Sequence, residues 1–267
     1  MMGICAYCKE DKKLTREHII PDFMYKFQNQ HSTNVGWNEK AQKVLSSEGK
    51  IKDVCAQCNN VELSDLDGFA KNMLSSSGIM TLNYLSTTVT LNYDYEFLKR
   101  WLLKLSFNSA RAASNKPEVF ERFIPYILGK TSKCTDVHLL IGLYKPEQLS
   151  DDELTNLSQE YGLSSDMRKF NPFHCRISWM PQYSPFYRIR IVVLGALLFK
   201  IVIFEQGLEV GYQKAEMRKL TKTFPGMKVV PNKLKVFSLS QMDLTFVDTQ
   251  MFQFARMQQL GALDHFD

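Results

Sequence analysis

Four of the chain's six cysteines stand as two pairs of identical spacing, Cys5-Ala6-Tyr7-Cys8 and Cys55-Ala56-Gln57-Cys58. A Cys-x-x-Cys turn presents two thiolates from one tight knuckle, and two such turns fill the tetrahedral shell that Zn2+ prefers. With all positions taken by sulfur and none left open, that ion would be structural rather than catalytic. The competing reading is a redox pair or ordinary free thiols, which leaves the repeated spacing to chance. Cys134 and Cys175 stand alone and are expected to be buried or half-buried free thiols without a role. Met1-Met2-Gly3-Ile4 runs into Cys5 without the long apolar stretch of an export signal, so the expected location is cytoplasmic and a disulfide framework is not expected.

Between the pairs lies Leu14-Thr15-Arg16-Glu17-His18-Ile19-Ile20-Pro21, and directly after the second pair come Asn59 and Asn60. A histidine beside an acid can act as a general base near neutral pH, and a carboxylate with an amide oxygen can hold a hard cation such as Mg2+. Taken singly, a Glu-His pair is more often a solvated surface dipeptide and an Asn-Asn pair a helix cap. Their placement between and after two cysteine knuckles is what changes that reading. The arrangement resembles the zinc-containing branch of the HNH endonucleases, whose ββα-metal fold is a treble clef, over roughly the first quarter of the chain.

The resemblance implies hydrolysis of phosphodiester bonds in DNA, double-stranded by default. It implies that His18 activates the attacking water, and that Glu17 and Asn59, with Asn60 as the alternative, hold a catalytic Mg2+ or Mn2+ distinct from the zinc. It also implies a strand carrying Glu17 and His18 that faces the start of the helix carrying Asn59. The family usually has a middle Asn or His shortly before the second pair, and Lys50-Ile51-Lys52-Asp53-Val54 supplies none; His31, Asn34 and Asn38 are distant candidates. Stand-alone proteins of this design act as homing, restriction or phage-defence effectors in bacteria and phages. The competing class is a non-catalytic zinc treble clef that binds nucleic acid or protein, and a third reading is a zinc clasp for the rest of the chain.

The elements that must position these residues follow from periodicity. A chain of 267 residues, 45% hydrophobic and 23% charged, can bury one large core or two modest ones. The expected fold class is α+β: a zinc finger of the treble-clef (ββα-metal) type over residues 1–78, then a mixed region with antiparallel strands over 79–267. The finger is polar with few apolar runs, and a structural zinc would supply the missing stability, roughly 10 kcal/mol or more in small zinc modules. Residues 28–50 read as a loop or loose hairpin. From Val61, Leu63, Leu66, Phe69, Ala70 and Met73 fall at helical steps, with the second pair at the helix start and Ser75-Ser76-Ser77-Gly78 ending it. Beyond, the pattern predicts a strand over 87–95, a helix over 95–113, and a short helix over 117–124 stopped by Pro125. Further strands are expected over 137–144 and 187–204, the latter broken near Gly195-Ala196, and a helix over 250–260.

The net charge of +5 and pI near 8.8 permit attraction to a polyanion without requiring it. Lys214, Arg218, Lys219 and Lys222 open the longer basic run and are candidate phosphate contacts, although such runs are more often solvated faces. A shorter run comprises Lys99, Arg100, Lys104, Arg111 and Lys116. The apolar stretch 191–204 contains Lys200, is too short and too charged to span a membrane, and reads as core strands. Trp101, Phe107, Trp179 and Tyr187 read as packing residues, and His138, His174 and His265 form no ligand cluster. The region 79–267 is expected to grip substrate, bind a partner or regulate. A single-metal site that cuts both strands needs two sites or two visits, which makes a homodimer or a regulatory protein partner an expectation.

Overall fold

The computed structural model describes residues 2–30, 36–38, 43–45, 49–155, 168–182 and 184–249. Strand β1 (Met2–Ile4) pairs with β2 (Asp11–His18) across the first cysteine pair. Helix α1 (Asp22–Asn29) follows Pro21, with the acid Asp22 in its first turn, where the helix dipole favours negative charge. Strands β3 (Gly36–Asn38) and β4 (Lys43–Leu45) pair as a short ladder within the stretch expected to be a loose hairpin. Strand β5 (Lys50–Cys55) returns along β2 to complete a sheet of order β1-β2-β5. After the second cysteine pair a widened π turn, Cys58–Leu63, leads into α2 (Ser64–Ser76). Leu63, Leu66, Ala70 and Met73 are buried, as their spacing predicts, and Phe69 is half-buried.

Strand β6 (Thr88–Asn92) leads to α3 (Tyr95–Ala113). Asp94 caps this helix by accepting from the amides of Glu96 and Phe97 at 2.9 and 3.1 Å. Ser114, in the left-handed region at φ 51°, closes its other end, with the Asn115 amide returning to the Ala110 carbonyl at 2.9 Å. The short helix predicted over 117–124 is two turns, α4 (Glu118–Glu121) and α5 (Ile124–Ile127). Pro125 sits in the first turn of the second and so opens a helix rather than stopping one, because its missing N–H is not needed there.

The remaining strands are β7 (Val137–Leu143), β8 (Glu147–Gln148), β9 (Lys169–Phe170), β10 (Cys175–Trp179), β11 (Tyr187–Leu194) and β12 (Leu197–Phe204). After them come α6 (Val210–Thr223), β13 (Lys228–Val229) and β14 (Val236–Ser240). The main sheet has the order β10-β11-β12-β7-β13, while β14 pairs with β6 and β8 with β9. All of these ladders are antiparallel, so the fold is mixed α and β with antiparallel sheets. The β11–β12 hairpin turns at Gly195-Ala196 with Gly195 at φ +55°, where a Cβ would stand 2.9 Å from the Phe173 ring.

Strand β12 is buried on both faces, which accounts for the unbroken apolar run in its sequence. Leu197, Phe199, Ile201 and Ile203 belong to a core shared with α3, α2 and the cysteine-bearing segment; Leu198, Val202 and Phe204 belong to a second core with Met217 and Leu220 of α6. The larger core therefore runs without interruption across residue 78. Among the described residues, no helix is long and apolar enough to cross a membrane. The predicted helix over 250–260, His31, Asn34 and His265 lie outside the described residues, and the side chain of Asn38 is likewise not described.

Candidate functional site

The β1–β2 connection turns tightly, with the Lys9 amide on the Cys5 carbonyl at 3.0 Å and Lys9 at φ 63°, and this turn presents Cys5 and Cys8 together. Cys55 ends β5 and Cys58 begins the π turn, so the second knuckle joins the sheet to the helix start. The four sulfurs lie within 4.8 Å of one another, and Cys8 and Cys55 are 3.8 Å apart. Tetrahedral ligation at the Zn–S bond length sets sulfur separations of about 3.8 Å, so the donor set and spacing fit a metal such as zinc. Among the described residues this is the one group of three or more His, Cys, Asp or Glu close enough to share an ion.

Burial pushes the Cys5 thiol up, but the backbone amides of Cys55, Cys8 and Tyr7 outweigh it and bring the group down to about 7. Burial pushes Cys58 and Cys8 up, with the neighbouring sulfurs adding to it. Four sulfurs this close favour sharing a cation over ionising together without one. Cys134 and Cys175 are half-buried and free, and burial raises their thiols to about 11 and about 12, which keeps them protonated and unreactive.

The β2–β5 ladder is irregular just before Glu17. Thr15 pairs with Val54 and Glu17 with Ile51, so Arg16 alone opposes Lys52 and Asp53, a bulge that re-aims the end of β2. Asn59 closes this irregularity: its Nδ2 donates to the Arg16 carbonyl at 3.0 Å and to Thr15 Oγ1 at 2.9 Å. Residues more than forty apart in sequence are thereby joined, and Asn59 Oδ1 has no described hydrogen bond. Asn60 is exposed. His18 is partly exposed, with Nε2 3.8 Å from Asp22 Oδ1 on α1 and its ring centroid 5.9 Å from that of Tyr25.

Glu17, one residue earlier on the strand, is only 4% exposed. Its Oε1 lies 2.9 Å from Lys104 Nζ and accepts from Asn108 Nδ2 at 3.0 Å, both from α3. Lys104, 1% exposed, also meets Asp67 Oδ2 of α2 at 2.6 Å, and Asp67 Oδ1 accepts from Trp101 Nε1 at 3.0 Å. Burial works against the Lys104 charge, but Asp67 and then Glu17 outweigh it, so its pKa lies above the usual lysine value. For a hard cation the donor chemistry is half right. Glu17 Oε2 and Asn59 Oδ1 carry no described hydrogen bond, but among the described residues no hydrogen bond joins the two side chains, and the carboxylate is already paired with Lys104.

Sequence reasoning missed Lys104 and Asn108. In the sequence Lys104 falls within a basic run, and Lys99 of that run is buried as well, its Nζ on the Cys134 carbonyl at 2.9 Å. The available signal was the spacing of Lys104 and Asn108, four residues apart on a helix whose other buried positions are mostly apolar. Arg111 of the same helix reaches Asp53, with Nε 2.9 Å from Oδ2.

Lys214, Arg218 and Lys222 are exposed along α6 at four-residue steps, about 6 Å apart along the axis. Lys219 leaves that row to pair with Glu216 at 2.6 Å. No family model, no curated protein and no solved structure matches this chain.

Proposed function

We propose that this chain is a metal-dependent endonuclease of the HNH type, hydrolysing phosphodiester bonds in DNA from a zinc-bound treble clef. The observation that carries the reading is the hydrogen-bonded junction of Asn59 with Thr15 and Arg16. It brings the residue after the last cysteine onto the strand that ends in Glu17-His18, beside a four-cysteine cluster. In this reading His18 accepts a proton from the attacking water. Asp22 Oδ1 lies 3.8 Å from its Nε2, on the first turn of α1. A divalent cation bound through Glu17 and Asn59 would polarise the scissile phosphate. Zinc on Cys5, Cys8, Cys55 and Cys58 would hold β2 against the helix start. Lys214, Arg218 and Lys222, with Lys219 beside them, would contact backbone phosphates of duplex DNA. A restriction-type or defence role fits this activity.

One observation favours a second reading, a non-catalytic zinc module that binds nucleic acid or protein: the carboxylate a catalytic cation would need is paired with Lys104 at 2.9 Å. The deciding experiment is cleavage of supercoiled plasmid with Mg2+ or Mn2+ by the wild type and by His18→Ala, with zinc content checked in both. Cutting by the wild type alone supports the nuclease; no cutting by either supports the binding module.

A further inference from the structure

Helix α3 lies outside the segment that resembles a nuclease finger, yet one of its side chains touches both members of the Glu17-His18 pair. Asn108 Nδ2 donates to Glu17 Oε1 and to the His18 carbonyl, each at 3.0 Å. Its Oδ1 accepts from the Tyr7 hydroxyl at 2.6 Å and from Arg111 Nη2 at 3.0 Å. The residue is fully buried, and both protons and both lone pairs of its amide are engaged. Such an amide has one orientation, because a flip would set its NH2 against two donors and its oxygen against a carboxylate and a carbonyl. The bulge leaves the β2–β5 ladder irregular just where Glu17 and His18 begin, so the strand needs another anchor there.

We infer that Asn108 is a positioning residue for His18, a clamp from α3 that fixes the backbone of the histidine and the side chain of its acidic neighbour together. Its catalytic consequence rests on the nuclease reading. The geometric role does not. The site is then complete only when α3 is folded against it, and small displacements of a base are costly, on the order of 100-fold for about 1 Å.

The test uses the full zinc-loaded chain with Asn108→Ala, with Asn108→Ser as a milder variant should the first fail to fold, and with Leu98→Ala, a buried position ten residues earlier on α3, as a control that lowers stability without touching the amide. Zinc content and Tm establish folding, kcat and KM are measured on plasmid DNA, and the His18 imidazole 15N resonances are followed through a pH titration without DNA. The expected result is a fall in kcat of about 10- to 100-fold with KM within about twofold, and displaced His18 resonances in the Asn108 variants. Leu98→Ala is expected to lower Tm while leaving kcat and the His18 signals in place. Unchanged His18 resonances in a folded Asn108 variant overturn the inference whether or not the protein cuts DNA. An equal response in Leu98→Ala overturns it too, by reducing the effect to general stability. A wild type that cuts nothing while its His18 resonances still answer to Asn108 removes the nuclease reading and upholds the clamp.

Discussion

Replacing Lys104 with Met removes a cation held between two carboxylates, 2.9 Å from Glu17 and 2.6 Å from Asp67. Breaking a buried pair from one side costs about 3–5 kcal/mol, because the charge left behind keeps its desolvation penalty and loses its partner. Glu17 bears most of that cost; the Asp67 side chain, 26% exposed, can turn to water. For a chain of this length, unfolding entropy of about 2.1 cal/mol/K per residue makes each kcal/mol worth about 2 °C, so Tm should fall by about 6–10 °C. Scanning calorimetry at saturating zinc measures it. The double variant Glu17→Gln/Lys104→Met should recover much of the loss, since no buried charge is stranded. The folded pKa of Lys104 is raised, so its stabilisation is fully present below the unfolded value near 10 and is lost only as pH climbs through the folded one. In the wild type, Lys104 should therefore contribute no pH dependence to stability between about pH 6 and 9, and the comparison with Lys104→Met is made at pH 9. A loss under about 1 kcal/mol, or a double variant no better than the single, refutes the account of α3 as the partner of the Glu17 strand.

Three further outcomes are expected. Cys58→Ser should abolish stoichiometric zinc binding by native mass spectrometry, and full zinc content in that variant would contradict the four-sulfur site. Burial holds Lys200 down to about 7, with its Nζ over the Phe224 ring, so its charge penalty is fully present below pH 7 and fades as pH rises toward about 10. Lys200→Met should accordingly stabilise the fold by about 1–4 kcal/mol at pH 6 and by less at pH 9; an equal gain at both would refute the buried charge as the cause. Changing Lys214, Arg218 and Lys222 together to Gln should lower the salt slope of DNA binding by about 2–3. An unchanged slope means that α6 is not the binding face.

Periodicity carried the long elements well. The predicted helix over 95–113 coincides with α3, and the break at Gly195-Ala196 is the β11–β12 turn. These succeed because the signal is local: apolar steps along one face, and a glycine where φ must be positive. The four cysteines were legible for the same reason, since ligand chemistry fixes their spacing. Helix α1 is short, and its eight residues carry only a brief apolar pattern next to the polar stretch from Gln28 onward, so Pro21-Asp22 is its main local signal. Lys104 and Asn108 were illegible for a different reason. A polar residue on a helix shows its meaning only through what faces it, and their partners Glu17, Tyr7 and the His18 carbonyl lie some ninety or more residues away. Glu17 was read from its neighbour His18, while its surroundings are set by a helix the motif does not include.

Strand β12 has a consequence for how mutations in this chain combine. Its side chains alternate between two cores, so Leu198 and Phe199 are neighbours along the backbone yet are walled off from each other by the sheet. Phe199 faces instead the same core as Ile141, its register partner on β7, and Leu139. Truncations at Leu198 and Phe199 should then add nearly independently, whereas truncations at Phe199 and Ile141, far apart in sequence, should interact through a common cavity. Adjacency in the chain and adjacency in energy part company along this strand, and a mutational map of the protein would read as two interleaved lists rather than one.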